Sequence, residues 1–305
     1  MKRTAIRIAA LALLLAPVTV LAQIENPDAA RMFNEGKNLY QQGQYQEALE
    51  LLQESASLEP NNFSAHYMMG LCLRKLRQHD QALENLALAT TFNPNYYSAY
   101  YVQGLIYQSD KGDPDQAAAM YSKAGEVSEQ VGQPYWQAFF NLGVLEFGRQ
   151  NWDAALTAFD KTTQYNPANE RAYASMGRIY MERGNYETAL MNFTQASMKQ
   201  PTWYEPYFHK ANVLNRMGNY TEAIAEAEEA LKRMPNHGGS LYEKGFALRS
   251  LEKWDEAITV LEQAARDAQW RQLANHQIEL IRNRDKYVDI PPDTSKTTIP
   301  PIPPR

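Results

Sequence analysis

Five histidines, one cysteine and a pair of glycines are the features of this sequence that stand nearest to chemistry. The histidines are His66, His79, His209, His237 and His276. An imidazole can move a proton near neutral pH or ligate a metal, and ligation needs a second histidine or a carboxylate at matching spacing. None of the five has one. Cys72 is the only cysteine, so no internal disulfide can form, and a buried inert thiol or an intermolecular bridge are its two readings. The run PNHGGS (235–240) offers backbone for a phosphate cradle, but it stands at the end of one sequence segment and the start of the next, as a linker does. There is no nucleophile elbow and no phosphate-binding glycine loop. The expectation is a chain without catalytic residues, metal ligands or cofactor.

The elements that would have to position any site are laid out by a strict period. Small residues recur at Gly36, Gly70, Gly104, Gly143, Gly177, Ala211 and Gly245, with five gaps of 34 residues and one of 39. A second small residue keeps the same stride at Ala48, Ala82, Ala117, Ala155, Ala189, Ala223 and Ala257, and proline follows at Pro60, Pro94, Pro167, Pro201 and Pro235. A period of this length with this internal order marks a stacked array of helical hairpins. Small residues belong where two helices cross, because a larger side chain would push the axes apart. Proline lacks a backbone donor and closes a unit.

The segment at 169–201 shows the pattern in full: Tyr173, Met176, Gly177 and Tyr180, then Gly184 and Tyr186, then Ala189, Phe193 and Ala196, then Pro201. It resembles the tetratricopeptide repeat (TPR), whose signature is W-x2-L-G-x2-Y, G-x-Y, A-x3-F-x2-A and a closing P. The resemblance implies an all-α, right-handed superhelical solenoid of about seven hairpins over residues 29–269, with units starting near 29, 63, 97, 136, 170, 204 and 238. Unit three departs from it with an insertion at KGDPD, which predicts a longer turn, and with no closing proline, which predicts either an extended second helix or a wider loop at 126–136 and a bend in the superhelix. Unit six has Ala211 and Ala227 in place of the glycine and the aromatic, which predicts thinner packing. Residues 270–287 read as a capping helix with Trp270, Leu273, Ala274, Ile278 and Ile281 on one face. The proline-rich stretch at 288–305 reads as a disordered tail or a ligand for another protein.

The same resemblance implies that the first helix of each hairpin lines a concave groove. The groove positions hold Phe33, Lys37 and Tyr40; Tyr67, Met68 and Leu71; Tyr101, Val102 and Leu105; Phe140, Val144 and Phe147. Farther on they hold Arg171, Arg178 and Met181; Phe208, His209, Asn212 and Asn215; Tyr242, Phe246 and Arg249. Aromatic rings there are surplus to the packing slots, and exposed apolar patches mark interaction sites. The lysine and asparagine clamp by which some TPR domains hold a terminal carboxylate is not matched. An extended or helical peptide with apolar anchors is the expected ligand, its acidic groups meeting Arg171, Arg178 and Arg249. Further aromatics at helix starts, among them Tyr96, Tyr97, Trp203, Tyr204 and Tyr207, read either as packing between units or as sugar-stacking rings.

Residues 1–22 read as an export signal: Lys2, Arg3 and Arg7 precede a short apolar core that ends in VLA at Ala22. The apolar stretch is short for a stable span. Cleavage would begin the mature chain at Gln23 and leave residues 23–28 as a lead-in. It takes the 30 basic side chains to 27 against 35 acidic, a net charge of −8. That excess speaks against a nucleic-acid partner. The reading as a whole is a non-enzymatic scaffold of a bacterial envelope, periplasmic or secreted and monomeric alone. It binds a protein or peptide, with cell-wall glycan binding or self-assembly as alternatives.

Overall fold

The computed structural model describes residues 26–284. The sequence expectations for residues 1–22, for the end of the capping helix and for the tail lie outside them. The chain divides between residues 133 and 134 into two units. The first holds α1 (Pro27–Gln41), α2 (Tyr45–Leu58), α3 (Phe63–Lys75), α4 (His79–Phe92), α5 (Tyr97–Leu105), a π-helical turn (Ile106–Lys111) and α6 (Pro114–Gln130). The second holds α7 (Trp136–Gly148), α8 (Trp152–Tyr165), α9 (Glu170–Glu182), α10 (Tyr186–Lys199), α11 (Glu205–Met217), α12 (Tyr220–Arg233), α13 (Gly238–Ser250), α14 (Trp254–Ala264) and α15 (Arg271–Arg282). The described residues contain no strand.

Local chemistry sets the helix ends. Asn26, Asn62 and Asn169 accept hydrogen bonds from the first free backbone amides of α1, α3 and α9, and Asp113 does so for α6. Pro27, Pro114 and Pro206 occupy first-turn positions, where a missing amide costs least. Each closing proline follows a second helix by two residues and stops it. Gly184 adopts φ 73° in the turn between α9 and α10, the left-handed conformation that glycine enters without a steric penalty.

Helices pack in consecutive pairs, and the periodic small residue is where each pair touches. A methyl group built on Gly177 would lie 2.8 Å from the Phe193 ring, one on Gly143 would lie 2.7 Å from Phe159, and one on Gly104 would lie 2.6 Å from Tyr121. Gly36, Gly70 and Gly245 stand in the same relation to Leu52, Leu86 and Leu261. Those six partners are fully buried. Burial of such a large side chain supplies about 1.5–3 kcal/mol, and the glycine is what lets the helix axes come close enough to bury it.

Two expectations about the repeat are resolved here. The insertion in unit three becomes the π-helical turn, closed by Gly112 at φ 66°, and α6 is indeed extended, at 17 residues. Unit six is not thinly packed: Ala211 and Ala227 are both fully buried, and α11 has Phe208, Val213 and Leu214 in the core. Ala211 and Ala227 take the slots of Gly177 and Phe193, so this hairpin carries two small residues where its neighbour carries a glycine and a ring. α15 buries Ala274, Ile278 and Ile281, and Trp270 is buried just ahead of it, in a cluster that includes Leu241, Tyr242 and Leu261.

Candidate functional site

In the first unit the candidate residues lie on α1, α3 and α5. Phe33, Tyr40, Tyr67, Leu71 and Tyr101 are half-buried and rest against the core formed by Leu49, Leu52, Met69, Leu73 and Leu86; Leu105 is half-buried too. Tyr67 meets Tyr96 edge-on at 4.9 Å, Tyr101 lies 5.8 Å from Tyr121, and Tyr40 lies 5.4 Å from Tyr45. These rings serve packing on one edge, which corrects the expectation that they are surplus to it. Met68 is buried outright and cannot line a groove, because it fills space within the same core. Cys72 is fully buried, and burial pushes its thiol up to about 11. It is the inert thiol of the two readings.

In the second unit α7, α9, α11 and α13 carry the remaining candidates. Phe140 rests 6.1 Å from Phe159, Phe147 meets Trp152 at 5.3 Å, and Val144 and Arg171 are exposed. The Arg178 guanidinium lies 4.8 Å above the Phe147 ring. Burial lowers its proton affinity; Glu205 and Glu182 act against that through space, but neither reaches ion-pair distance. Arg249 donates from Nη1 to Gln277 Oε1 at 2.5 Å and lies 5.3 Å over Phe246. Burial lowers its proton affinity as well, opposed by Tyr242 and Tyr220. Both arginines are half-buried, and neither has a carboxylate partner among the described residues.

His209 and Asn212 are corrections. His209 is stacked on Phe193 at 5.0 Å and tilted against Phe208 at 4.9 Å. It is fully enclosed, and burial first, then Arg178 and His237, depress its pKa to about 3. It is a neutral core ring and faces no groove. Asn212 is buried with Nδ2 donating to Glu243 Oε1 at 2.6 Å, while Asn215 Nδ2 donates to Glu243 Oε2 at 2.8 Å and to the Glu243 carbonyl at 2.9 Å. Arg216 Nε donates in turn to Asn212 Oδ1 at 3.0 Å. The network takes up both amide nitrogens and Asn212 Oδ1, while Asn215 Oδ1 is buried without a hydrogen-bond partner.

Sequence reasoning passed over Glu243, the acceptor at the centre of this network. The stride of 34 puts Glu243 in the slot of His209, and Asn212 in the slot of Val144 and Phe246. The slot of Glu243 also holds Asn141, Ser175 and His209, and that of Asn212 also holds Arg178, so a polar residue at 243 did not stand out from its repeat. Burial raises the Glu243 pKa, and the two asparagine amides act in the opposite direction. Glu243→Ala is expected to lower the stability of this unit by about 2–4 kcal/mol, since buried donors are left without an acceptor. A urea midpoint that does not move would show that the network carries no stability.

Three of the rings at the helix starts are engaged internally. Tyr96 packs on Phe63 and Tyr67, Tyr204 meets His237 at 4.6 Å, and Tyr207 is flanked by Arg233 at 3.8 Å and Lys210 at 4.7 Å. Among the described residues no helix is long and apolar enough to cross a membrane, and no group of three or more His, Cys, Asp or Glu side chains is placed to hold a metal.

With this geometry in hand, the comparisons define the class. The tetratricopeptide repeat model matches residues 106–161 and 140–196. A model described as the fifth ARM-repeat domain of TT21 matches residues 170–281, and one described as subunit 3 of the anaphase-promoting complex, cyclosome, matches residues 3–89. The chain carries a helical-repeat fold of the tetratricopeptide type, which generally serves protein–protein interaction and is typically non-catalytic. Solved structures share that fold at low identity. The C-terminal part of a TPR repeat-containing protein from Cytophaga hutchinsonii matches with a TM-score of 0.64 at 14% identity, covering 81% of this chain and 99% of that one. YrrB, described as a TPR protein with an unusual peptide-binding site, matches at 0.55 and 18% identity, covering 63% and 97%. PilW, described as a type IV pilus biogenesis factor, matches at 0.51 and 15% identity, covering 69% and 95%. The comparison with curated proteins finds no match.

Proposed function

We propose that this chain is a non-enzymatic scaffold of the bacterial envelope that holds an acidic, apolar-anchored segment of a partner protein on α7, α9 and α13. One observation carries the reading: Arg178 and Arg249 are desolvated cations with no carboxylate at ion-pair distance among the described residues. A guanidinium taken partly out of water is stabilised by an anionic partner, and a carboxylate accepting two of its N–H groups is the matching geometry. Phe147 under Arg178 and the exposed Val144 supply apolar surface beside it. The YrrB description, a peptide-binding site on the same fold, is in keeping with a peptide ligand. The envelope placement rests on the sequence of residues 1–22, and a mature chain starting at Gln23 in a periplasmic fraction is its check.

The binding test is a peptide-display selection against the full mature chain, wild type and Arg178→Ala/Arg249→Ala. Peptides combining acidic and aromatic residues are expected to enrich on the wild type. Each arginine removed is expected to weaken the best of them at least tenfold, since a hydrogen bond to a charged group contributes about 1.5–3 kcal/mol. Enrichment of neutral peptides alone, or affinity unchanged in the folded double variant, would sink the proposal.

A further inference from the structure

At the π-helical turn of the first unit a cleft of about 450 Å³ is lined by Arg74, Lys75, Arg77, His79, Ser109 and Asp110. It is remote in sequence from Arg178 and Arg249 and independent of the reading given for them. Four features of the cleft point the same way.

The first is charge. Three cationic side chains face one carboxylate, and Arg74 Nε already donates to that carboxylate, Asp110 Oδ2, at 3.1 Å. Lys75 and Arg77 have no acidic partner among the described residues, and the neighbouring Lys111 is taken up by Asp80 at 2.5 Å. Arg74, Lys75 and Arg77 set against Asp110 leave the lining a surplus of two positive charges.

The second is an incomplete polar group. His79 Nδ1 is buried without a hydrogen-bond partner, 3.5 Å from Asp110 Oδ2 but not bonded to it. Buried polar atoms in a native fold normally have a partner.

The third is backbone strain at Arg77. Its φ is 61°, in the left-handed region. The stride of 34 puts it in the turn position that Gly43, Gly184 and Gly218 fill elsewhere. Gln150 and Glu252 hold the same slot at φ 60° and 61°, so a side chain in this turn does not by itself mark a site; what sets Arg77 apart is its place on the cleft wall.

The fourth is the π-helical turn itself. It is inserted into the repeat and carries Ser109 and Asp110 to the cleft. Single π-helical turns concentrate at functional sites.

We propose that this cleft binds a dianionic phosphate group carried on a small molecule. The surplus of two charges matches a phosphate monoester, whereas a carboxylate would leave one cation unbalanced. Guanidinium and ammonium donors with a serine hydroxyl suit phosphate oxygens, and the volume lies within the range of small-molecule sites.

The test is equilibrium binding of inorganic phosphate and of glycerol phosphate to the full mature chain at fixed ionic strength, with acetate for comparison. Saturable binding of one phosphate per chain is expected, at least tenfold tighter than acetate. The ester is expected to bind more tightly than free phosphate, and equal or weaker binding of the ester would overturn a carried phosphate. Arg77→Gly separates binding from folding, because glycine favours this φ: its melting temperature is expected to hold or rise while phosphate affinity falls at least tenfold, and Lys75→Ala is expected to lower affinity as well. Absence of saturable phosphate binding, acetate binding as tightly, or full affinity in Arg77→Gly would overturn the proposal.

Discussion

Acidification from pH 7 to pH 4 is expected to remove about 3 kcal/mol of stability from residues 134–284 through His209 alone. The enclosed ring stays neutral down to about pH 3 in the fold, whereas a solvated histidine takes up its proton near 6.5. Between those values the unfolded chain binds a proton that the native chain does not, so stability falls as pH falls. The stabilising contribution is complete above about pH 6.5 and shrinks steadily on the acid side. His209→Phe keeps an aromatic ring between Phe193 and Phe208 and removes the titration. Its melting temperature is therefore expected to depend less on pH between 6.5 and 4 than that of the wild type. Glu243 works in the opposite sense. Its raised pKa means that the native chain holds a proton more tightly than the unfolded chain does, so its contribution declines as pH rises above the ordinary carboxylate range near 4.3. Above the ordinary carboxylate range near 4.3 the Glu243 contribution opposes that of His209, and Glu243→Leu in place of the wild type is expected to leave a steeper acid slope. Equal slopes for wild type and His209→Phe would show that the ring is hydrated in solution.

Gly177→Val is expected to destabilise the same unit by about 3 kcal/mol, and Gly177→Ala by about 1–2 kcal/mol, as shifts of the urea midpoint. Alanine in a helix interior gains about 1 kcal/mol over glycine, which an open site would show as stabilisation. Here the added methyl meets the Phe193 ring at 2.8 Å, and that ring cannot retreat, because it is fully buried and stacked on His209. Overpacking of this kind costs about 1–3 kcal/mol or somewhat more. Phe193→Ala alone is expected to cost about 3–5 kcal/mol by leaving a cavity. The two alanines together reproduce the residue pair that Ala211 and Ala227 place in the same slots of the next hairpin, so the double variant is expected to be at least 1 kcal/mol more stable than the two single changes would sum to. Strict additivity would refute the crossing contact.

The repeat was legible because its grammar is steric. A small residue every 34 positions leaves few solutions other than a close helix crossing, and Gly36 through Gly245 occupy such crossings. The turn at Gly184, the burial of Cys72 and the apolar face of α15 follow from the same local rules. The ligand-facing side was less legible. Groove positions were assigned by slot, and a slot fixes the side of a helix without fixing how deeply the next helix covers it. Met68 and His209 are covered, and Asn212 is drawn into a carboxylate network that no single repeat contains. The π-helical turn was hidden for another reason: an insertion announces extra residues but not whether they loop out or widen the helix. Arg178 and Arg249 were readable as cations, whereas their desolvation depends on neighbours that the slot scheme does not place.

The pair of alanines at 211 and 227 has a consequence for how an array of this kind can be rearranged. In six hairpins the first helix contributes glycine and the second a large side chain, while in this one both contribute alanine. A first helix from one type joined to a second helix from the other would meet either a clash or a hole. Whole hairpins exchanged between arrays keep their matched halves, whereas a crossover within the turn separates them. The crossing pair thus makes the hairpin, and not the single helix, the unit that duplication and recombination can move without loss of fit, and it marks the linkers between hairpins as the joints at which chimeric arrays should be cut.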